Sequence, residues 1–395
     1  MKLRLVQFLS CPCCNHQPLN LESFNVEAIP LSESHLEKCR RMCIDPASLR
    51  QSVIDGLLTC DACQTWFPIH KRIPVMHKFR HAFHDEFVRK FGTRSATMSR
   101  FHPPQGEGKP GEPKTLRNYT ETWEGVGDDG MVFTYTIEQE KNWFAAMLDW
   151  PDWVMTRMGL RVLDVGVGFG HETRTLQALI DGEIFGVDLN LSILASSDIF
   201  AAEPFIHFIC CSLFDIPLPK QDFDVVIAPG VLHHTYSTKA AFNAVLGHMR
   251  HTGMIFIWLY WTEDQGGGGP WRQLFHNMRE LAFRPIVARL PLWLQQIVLL
   301  PFAIMYYPME RKRVPNPDKW KLSNTVKNLR DRYTCIYAHR HRLFEMFDWM
   351  TEQDMACRFV DMYRFKELNG YWNFGLSVRG QKRDLVPKAE GGTLE

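Results

Sequence analysis

The apolar residues of this chain follow two rhythms, and the change between them comes near residue 160. Beyond that point, RVLDVG (161–166), EIFGVD (183–188), FIHFICC (205–211), FDVVIAPG (223–230) and GMIFIWLY (253–260) are short β-rich apolar runs that read as strands. Between them, HETRTLQALI (171–180), LSILASSDIFAA (191–202) and TKAAFNAVLGHMR (238–250) predict helices. Strand–helix alternation at this spacing predicts an α/β fold, a parallel sheet with helices on both faces. The pattern breaks over 262–340. It ends in a helix (342–354) and two strand-like runs, ACRFVDMYR and NGYWNFGLSV, so 341–385 reads as the last part of the same sheet.

Upstream, Phe79, Phe83, Phe87 and Phe91 recur every four residues, which predicts an amphipathic helix over 79–101. HPPQGEGKPGEPK (102–114) is dense in Pro and Gly without apolar period, and reads as a linker. Five zones result: 1–78, a small cysteine-rich domain; 79–115, helix and linker; 116–261, the α/β core; 262–340, an insertion; and 341–385.

Composition narrows the classes. With 45% hydrophobic and 23% charged residues, the chain is neither disordered nor fibrous. Lys+Arg 45 against Asp+Glu 44 leaves no global field that would steer it onto nucleic acid. Eleven cysteines, an odd number, follow no secretory leader, which predicts a reducing, cytoplasmic setting where paired cysteines hold metal. Residues 285–308 approach the length of a membrane span, but Arg289, Gln295, Gln296, Pro291 and Pro301 argue against an integral one. A helical lid behind the Gln265–Pro270 glycine hinge, an oligomer interface and a membrane-surface contact all stay open for it. The oligomeric state is not legible.

Two motifs carry chemistry. Asp164-Val-Gly166-Val-Gly168-Phe-Gly170 follows a strand and opens a helix, so backbone can pass close to a ligand facing a helix N-terminus. The dinucleotide fingerprint fails, because His171 stands where its third glycine belongs. The DxGxGxG spacing instead resembles the first motif of class I S-adenosylmethionine (SAM) methyltransferases, a resemblance that extends over 116–380. It implies a Rossmann-like sheet with Asp164, Gly166, Gly168 and Gly170 cradling SAM, and Asp188, beside Leu189, accepting the ribose hydroxyls. The family's adenine-contacting Asp after the third strand is replaced here by Ser212, with Asp215 three residues too late, so Ser212 and Leu213 are expected at the adenine edge. Pro229 closes the cofactor side. Gly230-Val-Leu-His233-His234 resembles the matching stretch of small-molecule methyltransferases, including quinone-biosynthesis enzymes, and of wobble-uridine tRNA methyltransferases. His233 and His234 are the catalytic candidates, against the alternative that they order or pack the loop.

Cys11–Cys14 and Cys60–Cys63 form two CxxC knuckles, the donor set of a closed, structural zinc site. Cys13 is a spectator, and Cys39 and Cys43 are ordinary residues. LSCPCC and GLLTCDACQTWFPIHKRIPVM resemble the zinc-ribbon protein that activates tRNA and protein methyltransferases, over residues 5–78, with 30–52 as a helical insert. Lys327, Arg330, Arg332, His339, Arg340, His341 and Arg342 with interleaved tyrosines suit phosphate or RNA, or simply a solvated helix start. RDRYTCIYAHRH resembles the substrate-side segment of zinc-ribbon methyltransferase fusions. On that basis Arg332, Tyr333 and His341, with Tyr260, are expected to face substrate. Tyr119, Trp123 and Tyr135 are candidates to line the pocket. The expected function is methyl transfer from SAM to a small-molecule acceptor; RNA methylation and a non-catalytic SAM-binding scaffold are the alternatives.

Overall fold

The computed structural model describes residues 1–123, 141–142, 144, 150–261, 278, 282–312, 314, 316–359 and 375–383. Tyr135 and the glycine hinge lie outside them. The first unit opens with α1 (Leu3–Val6) and holds an antiparallel sheet in the order β1-β2-β3-β4. Its strands are β1 (Asn20–Ala28), β2 (Gln51–Cys60), β3 (Thr65–His70) and β4 (Ile73–Pro74). The expected insert between β1 and β2 holds α2 (Glu33–Arg41), where the Ser32 hydroxyl caps the start by accepting the His35 N–H. The rest of 30–52 is not α-helix: Pro46–Leu49 make a 3-10 turn and Gln51 is already strand.

The helix expected over 79–101 is shorter. α3 spans Ala82–Phe91, then the chain turns at Gly92, so the four-residue Phe period overstates its length. Phe87 and Phe91 bury against Leu57 and Trp66. The expected linker is also corrected. His102 joins the edge of β3, donating to the Gln64 carbonyl and accepting from the Trp66 N–H, and α4 (Glu112–Trp123) starts inside the Pro/Gly stretch. Pro and Gly there shape turns held by tertiary hydrogen bonds.

The second sheet has the order β10-β11-β9-β8-β5-β6-β7 among the described residues. It runs through β5 (Leu160–Val165), α5 (His171–Leu179), β6 (Gly182–Asp188), β7 (Ile206–Cys210), β8 (Phe223–Pro229), α6 (Thr238–Leu246) and β9 (Met249–Tyr260). The insertion supplies α7 (Leu292–Arg311) and α8 (Leu322–Thr334); α9 (Leu343–Glu352), β10 (Met355–Phe359) and β11 (Gly375–Lys382) complete the sheet. β5 to β9 pair in parallel as expected, whereas β11 runs antiparallel to both β9 and β10. The helix expected over 191–202 is reduced to a 3-10 turn at Leu191–Ala195, where the Ser196 hydroxyl donates to the Ile193 carbonyl and competes with helical pairing.

The two sheets share one core. Leu5, Phe8, Leu58 and Phe67 of the first unit cluster with Phe185, Val187 and Ile209 of the second. Beyond β4, Val75 pairs in parallel with Cys210 and the Met76 N–H donates to the Cys210 carbonyl at 2.7 Å, so the small unit extends edge strand β7. Polar anchors add to this: Lys2 Nζ donates to the Ile206 carbonyl at 2.8 Å, and Arg4 forms a two-point pair with Glu183 at 2.5 and 2.8 Å. Burial would raise the Glu183 carboxyl, but hydrogen bonds from Arg4 and His207 override it and hold it at about 2.

Arg4→Ala leaves a buried carboxylate without its cation and is expected to cost about 3–5 kcal/mol of stability. Because the folded pKa lies below the unfolded one, the pair's contribution is full above the unfolded carboxylate pKa of ~4.3 and fades as pH falls toward 2. Urea unfolding of both variants across that range checks it; a loss under about 1 kcal/mol at neutral pH contradicts the assignment.

Candidate functional site

At the carboxyl end of β5 the chain turns through Gly166, whose φ is +83°. A Cβ there would stand 2.0 Å from Val231 Cγ2, so only glycine lets the GVLHH loop close over the turn. Gly168, two residues on, opens onto free space, with nothing within 4 Å of an added Cβ. Its N–H donates to Asp188 Oδ2 at 2.7 Å, and Asp188 Oδ1 accepts from the Asn190 N–H and Nδ2 at 2.7 and 2.8 Å. Burial raises the Asp188 carboxyl while these N–H donors oppose the rise. Beneath the turn, Asp164 accepts from the Thr173 hydroxyl at 2.6 Å, and burial pushes it up to about 7. Asp164 thus braces the start of α5, and Asp188 is the carboxylate at the rim. Gly170, also at positive φ, is the N-cap of α5.

An open cradle at a helix N-terminus beside a strand-end carboxylate fits an adenosyl ligand. The small unit reaches this rim as well. His77 sits with Nε2 2.9 Å from the Leu189 carbonyl and Nδ1 2.9 Å from His81 Nε2. Burial lowers His77 to about 3 and His81 to about 2, so both are neutral and donate or accept by tautomer alone.

The departure at Ser212 is compensated from elsewhere. Ser212 donates its hydroxyl to Glu112 Oε1 at the start of α4, one hundred residues away in sequence, and Glu112 also accepts from the Lys109 N–H. Glu112 is buried, which raises its carboxyl against those bonds. A carboxylate therefore stands beside Ser212, the position where the resemblance leads one to expect an acid. Leu213 is part-buried beside it and packs on the shared core, and Pro229 ends β8 before Gly230 turns at φ +76°.

In the GVLHH loop after β8 the two histidines separate. His234 Nδ1 lies 2.8 Å from the Tyr337 carbonyl, and its ring is 5.7 Å from that of Tyr119 on α4. Burial lowers the His234 pKa, while Asp331 on α8 pulls it upward. Burial raises Asp331, and His234, Arg332 and the Tyr119 hydroxyl pull it back. His233 is fully buried, its ring 3.9 Å from Tyr260, and neither ring nitrogen has a partner among the described residues.

The expected substrate residues spread out. Tyr260 stands at the site, stacked on His233. Tyr333 instead packs in the apolar core between α7 and α8, and Arg332 is exposed on α8. His341 is buried, with Nε2 at 2.8 Å from Thr238 Oγ1 and Nδ1 at 3.1 Å from Glu345. Its satisfied ring anchors 337–341 against the loop, together with the His339 N–H donating to the His233 carbonyl. Those three readings rested on the resemblance of the RDRYTCIYAHRH segment as a whole, whereas Arg332 and Tyr333 point to different sides of α8 and His341 lies beyond its end. Asp331, Glu112 and His77 were missed, because each is distant in sequence from the group it meets; Tyr119, a pocket candidate, lies with its ring beside that of His234. The side chain of Trp123 lies outside the described residues.

The four thiols of Cys11, Cys14, Cys60 and Cys63 lie within 4.8 Å of one another, with Cys11–Cys63 and Cys14–Cys60 sulfurs 3.5 Å apart. Tetrahedral zinc with ~2.3 Å bonds sets sulfurs about 3.8 Å apart, so the set fits zinc. Cys13 and Cys43 are exposed, and Cys39 packs with Ile44 and Leu49.

Residues 163–257 match the family described as a methyltransferase domain, and residues 2–71 match the family described as Trm112p-like protein. This chain carries a methyltransferase domain behind a Trm112p-like zinc ribbon. The chain is 27% identical over 141 residues to phosphoethanolamine N-methyltransferase 3 of Arabidopsis thaliana, covering 34% of this chain and 26% of that protein. The chain thus spans about a quarter of that relative's length. Among solved structures, it is similar to a SAM-dependent methyltransferase of Mesorhizobium loti, at 22% identity, 32% and 56% coverage and a TM-score of 0.28. It is also similar to a complex of the Haloferax volcanii Trm112 methyltransferase activator with a methyltransferase, at 11% identity, 67% and 96% coverage and a TM-score of 0.40. No helix among the described residues is long and apolar enough to cross a membrane.

Proposed function

We propose that the chain transfers a methyl group from SAM to a small-molecule nucleophile held between His234, Tyr119 and Asp331, in a cytoplasmic setting, with zinc closing the ribbon. The observation that carries the reading is the burial of this acceptor side: α4 and α8 cover it, tied together by Asn118 Nδ2 donating to the Thr334 carbonyl at 3.0 Å. Such a cover favours a compact acceptor over a polymer. The basic stretch supports the same side, because Arg330 and His341 are buried and His339 is engaged with the loop, which breaks up any continuous RNA track.

SAM, when bound, supplies an electrophilic methyl on a sulfonium. The protein's part is to orient and desolvate the acceptor, and to take its proton. With His234 Nδ1–H donating to the Tyr337 carbonyl, Nε2 keeps a lone pair for that proton, and the lowered pKa keeps it free at neutral pH. The Tyr119 hydroxyl and Asp331 hold the acceptor's polar group. Glu112, Gly168 and Asp188 hold the cofactor.

Two outcomes follow from this placement. His234→Ala is expected to lower kcat ~100-fold or more with SAM affinity unchanged. In the unaltered enzyme, kcat/KM stays flat through neutral pH and falls only below the ordinary histidine value of about 6.5, because protonation must fill the Nε2 lone pair. An acid limb above that value contradicts the role. Glu112→Gln, measured by calorimetric titration of SAM, is expected to weaken binding roughly 10-fold.

The reading as a whole is tested with SAM labelled on its methyl group, incubated with protein and cell extract fractionated into RNA, protein, lipid and small molecules. Label in the small-molecule or lipid fraction supports it. Nuclease-sensitive label in RNA replaces it with RNA methylation, and SAM binding without turnover on any fraction replaces it with a scaffold.

A further inference from the structure

Among the described residues, helix α7 is packed on only one side. Leu299 and Ala303 are fully buried against Leu329 and Tyr333 of α8. The opposite surface stays apolar: Trp293 is 61% exposed, Ile297 58%, Ile304 58% and Met305 65%, and Leu300, Phe302 and Met309 are exposed too. Trp293, Ile297, Leu300 and Ile304 follow the 4-3-4 spacing of a single helix face, and Ile286, in the short helix before it, is also exposed. Soluble surfaces rarely leave a contiguous apolar stripe of this kind without a partner.

Charge says which partner. No Asp or Glu occurs from 281 to 309. At the N-terminal end of α7, exposed Arg289 stands close to Lys114 and Arg117 of α4; burial, then the fields of those two arginines, lowers the Lys114 pKa. At the other end half-buried Glu310 is followed by exposed Arg311 and Lys312, with Arg311 paired to Asp318. Cations thus bracket the stripe at both ends. A second copy laid antiparallel on this face would set cation against cation at each end, whereas an anionic phospholipid surface complements both ends and accepts the apolar stripe between them. Trp293, near the start of the helix, suits the headgroup level.

We propose that α7, with the segment before it, is a membrane-docking face that lies in the headgroup plane of an anionic phospholipid bilayer. The helix lies on the bilayer and does not cross it. The surface adjoins the acceptor side, because α8 carries Asp331 and α4 carries both Tyr119 and the Lys114–Arg117 pair. If the acceptor reading holds, the acceptor enters from the bilayer as an amphiphile; the docking itself is read out without methyl transfer.

The test uses the full chain and sedimentation with vesicles of phosphatidylcholine, with and without about a third phosphatidylglycerol. Wild type is expected to pellet with the anionic vesicles, less so as salt rises, and to stay in solution with the neutral ones. The double variant Trp293→Asp/Ile297→Asp is expected to lose partitioning by at least ~10-fold, and Arg289→Glu/Lys114→Glu to lose mainly the salt-sensitive part. Unchanged melting temperature and SAM affinity show that these exposed variants are folded. The proposal is overturned if wild type ignores anionic vesicles at low salt, or if the apolar double variant binds them as well as wild type. A dimer in sedimentation equilibrium that Ile297→Asp dissolves, without vesicle binding, overturns it in favour of a second copy.

Discussion

Cys60→Ser, or withdrawal of zinc by a chelator, is expected to lower the melting temperature of the whole chain and to weaken SAM binding with it. Structural zinc contributes about 10–16 kcal/mol to folding of small zinc peptides, which matches or exceeds the ~5–15 kcal/mol that holds a typical domain together. The loss does not stay in the ribbon, because Leu5, Phe8 and Phe67 belong to the same buried cluster as Phe185, Val187 and Ile209. The strand pairing of Val75 and Met76 with Cys210 then leads to His77, whose ring meets the Leu189 carbonyl next to Asp188. Calorimetry is expected to show one transition moved down by more than about 10 °C, with SAM affinity reduced in parallel. Two independent transitions, with the upper one unmoved, would mean that the ribbon is a separate module.

The second large effect belongs to Asp188. Its carboxylate stands at the rim beside the Gly168 opening, and two hydrogen bonds from ribose hydroxyls to a charged group amount to about 3–6 kcal/mol. Asp188→Ala is therefore expected to weaken SAM binding ~100-fold or more. The structure adds a structural share to that loss, since the same carboxylate accepts from the Gly168 N–H and from Asn190. Asp188→Asn separates the two contributions. It keeps an acceptor oxygen but loses the charge, and is expected to restore the melting temperature more fully than the affinity. Calorimetric titration and thermal unfolding on both variants decide it; unchanged SAM affinity in Asp188→Ala would remove the ribose assignment.

The parts of this protein that the chain order makes legible are local ones. The glycine turn, its flanking strand and helix, and Asp188 at the next strand end lie within a single strand–helix–strand unit, where spacing alone constrains geometry. The two CxxC knuckles are legible for the same reason, since each pair is fixed by one tight turn. Helix lengths were less legible. The helix expected over 79–101 ran past the point where Gly92 turns the chain, and the 191–202 helix gave way to a 3-10 turn where the Ser196 hydroxyl bonds locally.

Groups brought together across long separations were decided only by the tertiary structure. Glu112 meets Ser212 and Asp331 lies near His234 because α4 and α8 fold over the carboxyl edge of the sheet, and neither encounter leaves a mark in local periodicity. The same holds for Arg4 with Glu183 on β6, where the ribbon reaches past edge strand β7. Apolar content showed that 285–308 buries or docks something, but only packing separated the side that meets α8 from the side that faces outward. Composition and spacing thus determined the chemistry this chain carries, a SAM cradle and a thiolate cluster. Which carboxylates and imidazoles meet over the carboxyl edge of the sheet was set by packing, because long-range contacts depend on how whole elements stack rather than on their neighbours in sequence.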